Sequence, residues 1–216
     1  MQIRFISKFL LAVLLATQLS ACGILAVGGV AAGASVMADR RTPGVQAIDN
    51  GIEMQANAAL SKKFGDNAHI NVTSFNQKTL LTGEAKDADI KGEAEAYVKA
   101  MKNARTVFNE IVIGPNSTYT ARANDSYLES KIKTQMIFTD KLPSNSMSIV
   151  AEGTSVYLMG ILTQNEADLA KKVASNTNGV KDVYVYFDII SNAEKNRLEK
   201  QGKADESQPN SPPKFQ

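Results

Sequence analysis

The strongest constraint on the fold is that the chain carries one pattern twice. Thr79-Leu80-Leu81-Thr82-Gly83 lines up with Val156-Tyr157-Leu158-Met159-Gly160, each a strand-like apolar run closed by glycine. Another strand-like run precedes each, at 68–73 and 147–151. An Ala-rich helical stretch follows each, at 87–101 and 164–177. Each copy then closes on a β-branched and aromatic strand, at 107–113 and 183–189, and a leading helix opens each, at 45–64 and 125–138. Self-similarity of this kind reads as a duplicated structural unit, here of order αββαβ.

Within a unit the first two strands are close enough to form a hairpin. The second and third are joined through a helix, so as neighbours they run parallel with a right-handed crossover. The expected fold class is α+β: two tandem units, each a three-stranded mixed sheet with two helices over one face. Ile48, Ile52, Ala59 and Leu60 recur near helical spacing, as do Leu128, Ile132 and Met136. Gly83 and Gly160 are expected to end strands at tight turns. A unit of roughly 65 residues is marginal alone, so the two are expected to pack on each other. The segments are then 1–21, 22–44, a first repeat at 45–114, a linker at 115–123 opening with Gly114-Pro115-Asn116-Ser117, a second repeat at 124–190, and a polar tail at 191–216, expected to be disordered.

Residues 1–21 read as a signal sequence. Arg4 and Lys8 give a charged start, and 9–16 is an unbroken apolar run, too short to span a bilayer. Leu19-Ser20-Ala21-Cys22 then matches a bacterial lipobox, with small residues at the cleavage site. Cys22 is the sole cysteine and the expected lipidation site; a free thiol beside a chance apolar run is the competing reading. No cofactor is expected beyond a covalent diacylglycerol and N-acyl lipid on Cys22. Gly23, rather than Asp, follows the cysteine, which by resemblance to lipoprotein sorting favours the outer membrane. Residues 23–38 carry no charge and many glycines, which suits a lipid-proximal tether; shallow insertion in the bilayer is the alternative. Of the 24 basic residues two lie in the signal, leaving 22 against 22 acidic ones. A neutral mature chain argues against a nucleic-acid partner.

No catalytic constellation stands out. His69, the one histidine, sits in a predicted strand with no nucleophile of recognisable local signature, and reads as a satisfied or exposed strand residue. Metal binding needs clustered ligands, and the sole cysteine is assigned to lipid. The informative segment is the leading helix of the second repeat, with Asn124 or Asp125 as cap. At roughly 100° per residue, Leu128, Ile132, Gln135 and Met136 face the sheet. Tyr127, Lys131, Thr134 and Phe138 form a narrow band beside that stripe, and Lys133 and Ile137 lie on the opposite flank. Apolar and basic residues continuing around a helix suit a membrane interface, with rings at headgroup level and lysines reaching phosphate. Packing of Tyr127 and Phe138 on the first repeat, with solvated lysines and a diluting Glu129, is the competing reading.

The αββαβ repeat, with Leu158-Met159-Gly160 followed by 178–183, resembles the BON domain. A lipobox joined to two such units, together with Asp39-Arg40-Arg41-Thr42, Ile70-Asn71-Val72-Thr73 and Asn124-Asp125-Ser126-Tyr127, resembles the dual-BON outer-membrane lipoproteins. The likeness runs from Cys22 to about Ile190; the first repeat departs from it with Asn103-Ala104 where the second has Gly179-Val180. It implies a non-enzymatic protein on the periplasmic face of the outer membrane, in contact with its inner leaflet. It further implies binding of anionic phospholipid through Tyr127, Lys131, Lys133, Thr134, Ile137 and Phe138, support of envelope integrity, and enrichment at the division septum. A protein-interaction scaffold for envelope factors such as the barrel-assembly machinery is the alternative.

Overall fold

A computed structural model describes residues 39–206, with side chains as far as residue 201. Cys22, the signal sequence and the tether to residue 38 lie outside the described residues. The first repeat runs α1 (Pro43–Phe64), β1 (Ala68–Phe75), β2 (Lys78–Ala85), α2 (Ala88–Lys99), β3 (Thr106–Asn109) and β4 (Val112–Ile113). The second runs α3 (Tyr119–Ile137), β5 (Met147–Glu152), β6 (Ser155–Leu162), α4 (Gln164–Ser175) and β7 (Asp182–Ile189). A last helix, α5 (Asn192–Glu206), follows.

Each sheet is mixed, as the connections require. β1 pairs antiparallel with β2, and β5 with β6, while β3 and β7 run parallel to β2 and β6. Asn76 and Gln77, both at positive φ (54° and 64°), make the two-residue turn between β1 and β2. Gly83 and Gly160 do not end strands, contrary to expectation; they lie inside β2 and β6. A Cβ on Gly83 would stand 2.0 Å from the His69 carbonyl oxygen, and one on Gly160 would stand 2.9 Å from that of Ser146. Both glycines serve close approach of the hairpin's first strand. Gly83 also has φ +102°, and the parallel ladder breaks opposite it, splitting the expected strand 107–113 into β3 and β4. Asn103 (φ 74°) and Gly179 (φ 109°) occupy the same left-handed position before the last strand of each copy. Asparagine tolerates that region, so the sequence departure there leaves the backbone unchanged.

Side chains alternate across each sheet. Leu81 and Ala85 turn toward α1 and α2, joining Ala56, Leu60, Phe64, Ala94 and Val98; Ala56 is the buried position rather than Ala59. Leu158 and Leu162 meet Leu128, Ile132, Met136 and the alanines of α4. The opposite faces carry Phe75 and Leu80 in one copy and Val150, Tyr157, Met159 and Ile161 in the other, and these form one further core with Phe108 and Tyr186. The two sheets therefore pack face to face with helices outside. Burial on both faces explains why β6 is continuously apolar instead of alternating. Phe108 stacks on Tyr186 at 4.1 Å between centroids, and the Tyr186 hydroxyl donates to Glu110 at 2.6 Å.

Three boundaries differ from expectation. The linker is 115–118, because Thr118 caps α3 by accepting from the Ala121 N–H. The tail is helical over 192–206, held by Leu198 in the inter-sheet core and by two ion pairs, Arg40–Glu199 and Lys195–Glu166. Residues 39–42 belong to the folded body and not to the tether. The Arg40 guanidinium, fully buried, binds Glu166 through two nitrogens (2.8 and 2.9 Å) and the Ile161 carbonyl at 2.9 Å. Arg41 turns the other way, onto Asp49 at 2.9 Å and over the Phe75 ring at 3.9 Å.

Candidate functional site

Helix α3 is the element that sequence reasoning singled out, and its acidic side chains turn inward beside the core stripe. Asp125 is not a cap. It is buried, and its carboxylate accepts the Gly153 N–H at 2.9 Å. One turn on, Glu129 accepts the Ala151 N–H at 2.8 Å. Another turn on, Lys133 donates to the carbonyls of Ser144 and Met147. Helix α1 repeats this ladder. Asp49 accepts from the N–H groups of Asn76 and Gln77, Glu53 from that of Ser74, and Asn57 both accepts from and donates to Val72. In each copy, side chains at i, i+4 and i+8 satisfy backbone groups along the first strand and its hairpin turn. Burial pushes the Glu53, Asp125 and Glu129 carboxyls up and the Lys133 ammonium down.

The outward face of α3 is thereby left without a carboxylate. It carries Tyr119, Tyr127, Ile137 and Phe138, exposed by 88, 70, 40 and 78%. Tyr127 and Phe138 do not pack on the first repeat. Hydroxyls between them turn back on the helix: Thr134 donates to the Ser130 carbonyl and Ser130 to that of Ser126. Lys131 swings toward the turn before β7, donating to the Asn178 carbonyl at 3.0 Å. So Tyr127, Thr134, Ile137 and Phe138 share the outward face, Lys131 borders it, and the Lys133 ammonium is committed to backbone. Tyr119, with Arg122 5.4 Å from its ring, extends the face and was missed because the helix starts earlier than its polar residues imply.

The matches to known proteins concern both copies. The BON domain family model matches residues 49–115 and again 124–190. The chain belongs to the BON-domain family. The first repeat is BON1 and the second BON2. Outer membrane lipoprotein DolP of Haemophilus influenzae is 30% identical over 174 residues, which cover 80% of this chain and 90% of that protein. A 21 kDa hemolysin of Actinobacillus pleuropneumoniae is 29% identical, over 70% of this chain and 79% of that one. Together they support an outer-membrane lipoprotein of the BON family. Among solved structures, CdsD, a structural protein of the type III secretion system of Chlamydia trachomatis, aligns at 14% identity with a TM-score of 0.27, over 69% of this chain and 68% of that chain, too distant to bear on either fold or function.

Where BON1 meets BON2, a polar groove of about 380 Å³ is lined by His69, Asn71, Arg122, Asp125, Glu129 and Glu152 among others. Glu152 of BON2 accepts from Asn71 at 2.9 Å and Thr82 at 3.0 Å, both of BON1. Burial, followed by repulsion from Glu84 and Asp125, raises its carboxyl against those two hydrogen bonds. His69 stands with Nδ1 3.5 Å from Glu84, and burial and Arg122 lower its imidazole. Among the described residues there is no metal-ligating cluster, and no helix is long and apolar enough to cross a membrane.

Proposed function

We propose that this protein is held by an acylated Cys22 on the periplasmic face of the outer membrane and binds anionic phospholipid headgroups through the outward face of α3 in BON2, without catalysing a reaction. The observation that carries this reading is the sorting of side chains on α3: four exposed apolar residues on one face, and both acids turned onto strand β5 and its turn. An interfacial helix gains from apolar burial at headgroup depth and from each cation near the surface, on the order of 1 kcal/mol per residue. Here Lys131 and Arg122 border the face, and burial by the rings is the larger part. Because the acyl chains already tether the protein, weak contacts act at high effective concentration and set where on the membrane it dwells. Support of envelope integrity and enrichment at the septum, where anionic lipid gathers, follow from this reading.

The test is sedimentation of the unacylated chain with vesicles. Binding to anionic but not zwitterionic vesicles is expected, with Tyr127→Ala and Phe138→Ala each weakening it several-fold and salt weakening it further. Equal binding by a folded Tyr127→Ala/Phe138→Ala double variant would remove α3 as the lipid site. The second reading, a protein-interaction scaffold, is favoured by the exposed Tyr184, Val185 and Ile189 on edge strand β7. It becomes the better account if the unacylated chain ignores anionic vesicles.

A further inference from the structure

The short segment before α1 joins parts of the molecule that are far apart in sequence. Arg40 is pinned at both ends. Its backbone N–H donates to the Ser146 hydroxyl at 3.2 Å, and its guanidinium is shared between Glu166 of α4 and Glu199 of α5. Lys195 of α5 reaches the same Glu166 at 2.7 Å. Burial opposes the charge on Glu166, but the hydrogen bonds from Arg40, Lys195 and the Thr163 N–H outweigh it and hold that carboxyl at about 2. The Glu166 carboxylate is therefore ionised at any physiological pH.

The turn that Arg40 grips is the one that α3 grips. Ser144–Ser146 forms a single 3-10 turn, and Lys133 of α3 donates to the Ser144 carbonyl. Asp39 lies within electrostatic reach of that ammonium and is itself tied to Arg41 at 2.8 Å. Lys133 stands about one turn before Ile137 and Phe138, while Tyr119 opens the same helix roughly 20 Å away at 1.5 Å per residue. The chain thus enters the folded body near the Phe138 end of α3.

We propose that Arg40 is a positioning residue that fixes where the lipid tether leaves the body, beside the Phe138 end of α3, so that the anchor and the apolar end of the helix are presented to one bilayer. This rests on the reading of Cys22 as the acylated residue and of α3 as the membrane-facing helix. Removing one partner of such a pair leaves an uncompensated buried charge, which opposes release of Arg40 from Glu166. Arg41 holds the next residue to BON1 through Asp49, so the exit point is fixed relative to both domains.

The test uses the full acylated chain in zwitterionic vesicles, where the anchor alone holds it. Spin labels are placed on cysteines at position 39 paired with 140, and at 39 paired with 120. The expected result is a narrow 39–140 distance distribution and a 39–120 distance longer by roughly 10 Å, from the helix rise. Broad or equal distributions in this chain, with Arg40 intact, would overturn the proposal whether or not any Arg40 variant folds. Arg40→Gln, folded by circular dichroism and still vesicle-attached, should at least double both widths, with Arg40→Lys intermediate. Unchanged widths in folded Arg40→Gln would also overturn it. Failure of the unacylated chain to bind anionic vesicles sinks the lipid reading of α3 but leaves these distances as they are.

Discussion

The Thr79 side chain is fully buried in β2 and its hydroxyl has no hydrogen-bond partner, whereas BON2 has Val156 at the matching position. Replacing an unpaired buried hydroxyl by a methyl group removes a desolvation cost, so Thr79→Val should stabilise the protein by about 1 kcal/mol. A thermal midpoint raised by roughly 2–4 °C is the readout; a lowered one would mean the hydroxyl has a partner. The in-strand glycines act in the opposite sense. Gly83→Ala meets both a 2.0 Å clash with backbone and a positive φ, so it should cost more than Gly160→Ala, where the nearest atoms stand at 2.9 and 3.0 Å. About 3 kcal/mol or more against about 1–3 is expected from overpacking and strain, read from denaturant midpoints. At this scale the sequence was legible only in part. The two glycines were visible, but their role as points of strand approach depends on register. Asn103 looked like a departure from pattern and proves equivalent to Gly179, because both supply a left-handed backbone.

The helices differ in how far they could be read. Stripes such as Leu128, Ile132 and Met136 follow from periodicity, and all three are buried. Helical spacing places Asp125 and Glu129 beside Ile132 and Met136, but their partners could not be read, because a carboxylate that binds a strand's N–H groups looks, in sequence, like a solvated surface acid. The same blindness hid α5, whose polar composition suggests disorder while its docking depends on Arg40, 159 residues away from Glu199. This element-level sorting predicts a pH dependence. The Glu129 and Glu152 carboxyls are raised above their ordinary value, chiefly by burial. A raised carboxyl favours the folded state most below its unfolded pKa, near 4.5, and that advantage is lost as pH rises through the folded value. Glu152→Gln should therefore raise the thermal midpoint at pH 7.5, with the difference from the parent vanishing toward pH 4.5. His69, lowered in the fold, opposes the trend in both proteins and cancels in the difference. A difference that grows on acidification would contradict this assignment.

At the scale of the whole molecule, duplication was the most legible feature, and the packing of the copies followed from the small size of each. The way they pack, sheet on sheet through Leu80, Tyr157 and Met159, was not written in any local pattern, because alternate residues of a doubly buried strand are all apolar. This arrangement puts the helices on the outside of both copies, and α3 carries Tyr119, Tyr127, Ile137 and Phe138 exposed where α1 has Met54 as its exposed large apolar residue. The duplicated fold thus presents one helix with an exposed apolar face and one without, although both use the same ladder to clasp their first strand. Nuclear magnetic resonance of the unacylated protein with anionic bilayer discs carrying a paramagnetic lipid headgroup reads this asymmetry directly. Amide broadening concentrated on residues 119–138, strongest around Tyr127 and Phe138 and absent from 43–64, is the predicted result. Broadening centred on α1 or β7, or none above that seen with zwitterionic discs, would contradict the assignment of α3 as the lipid-facing surface.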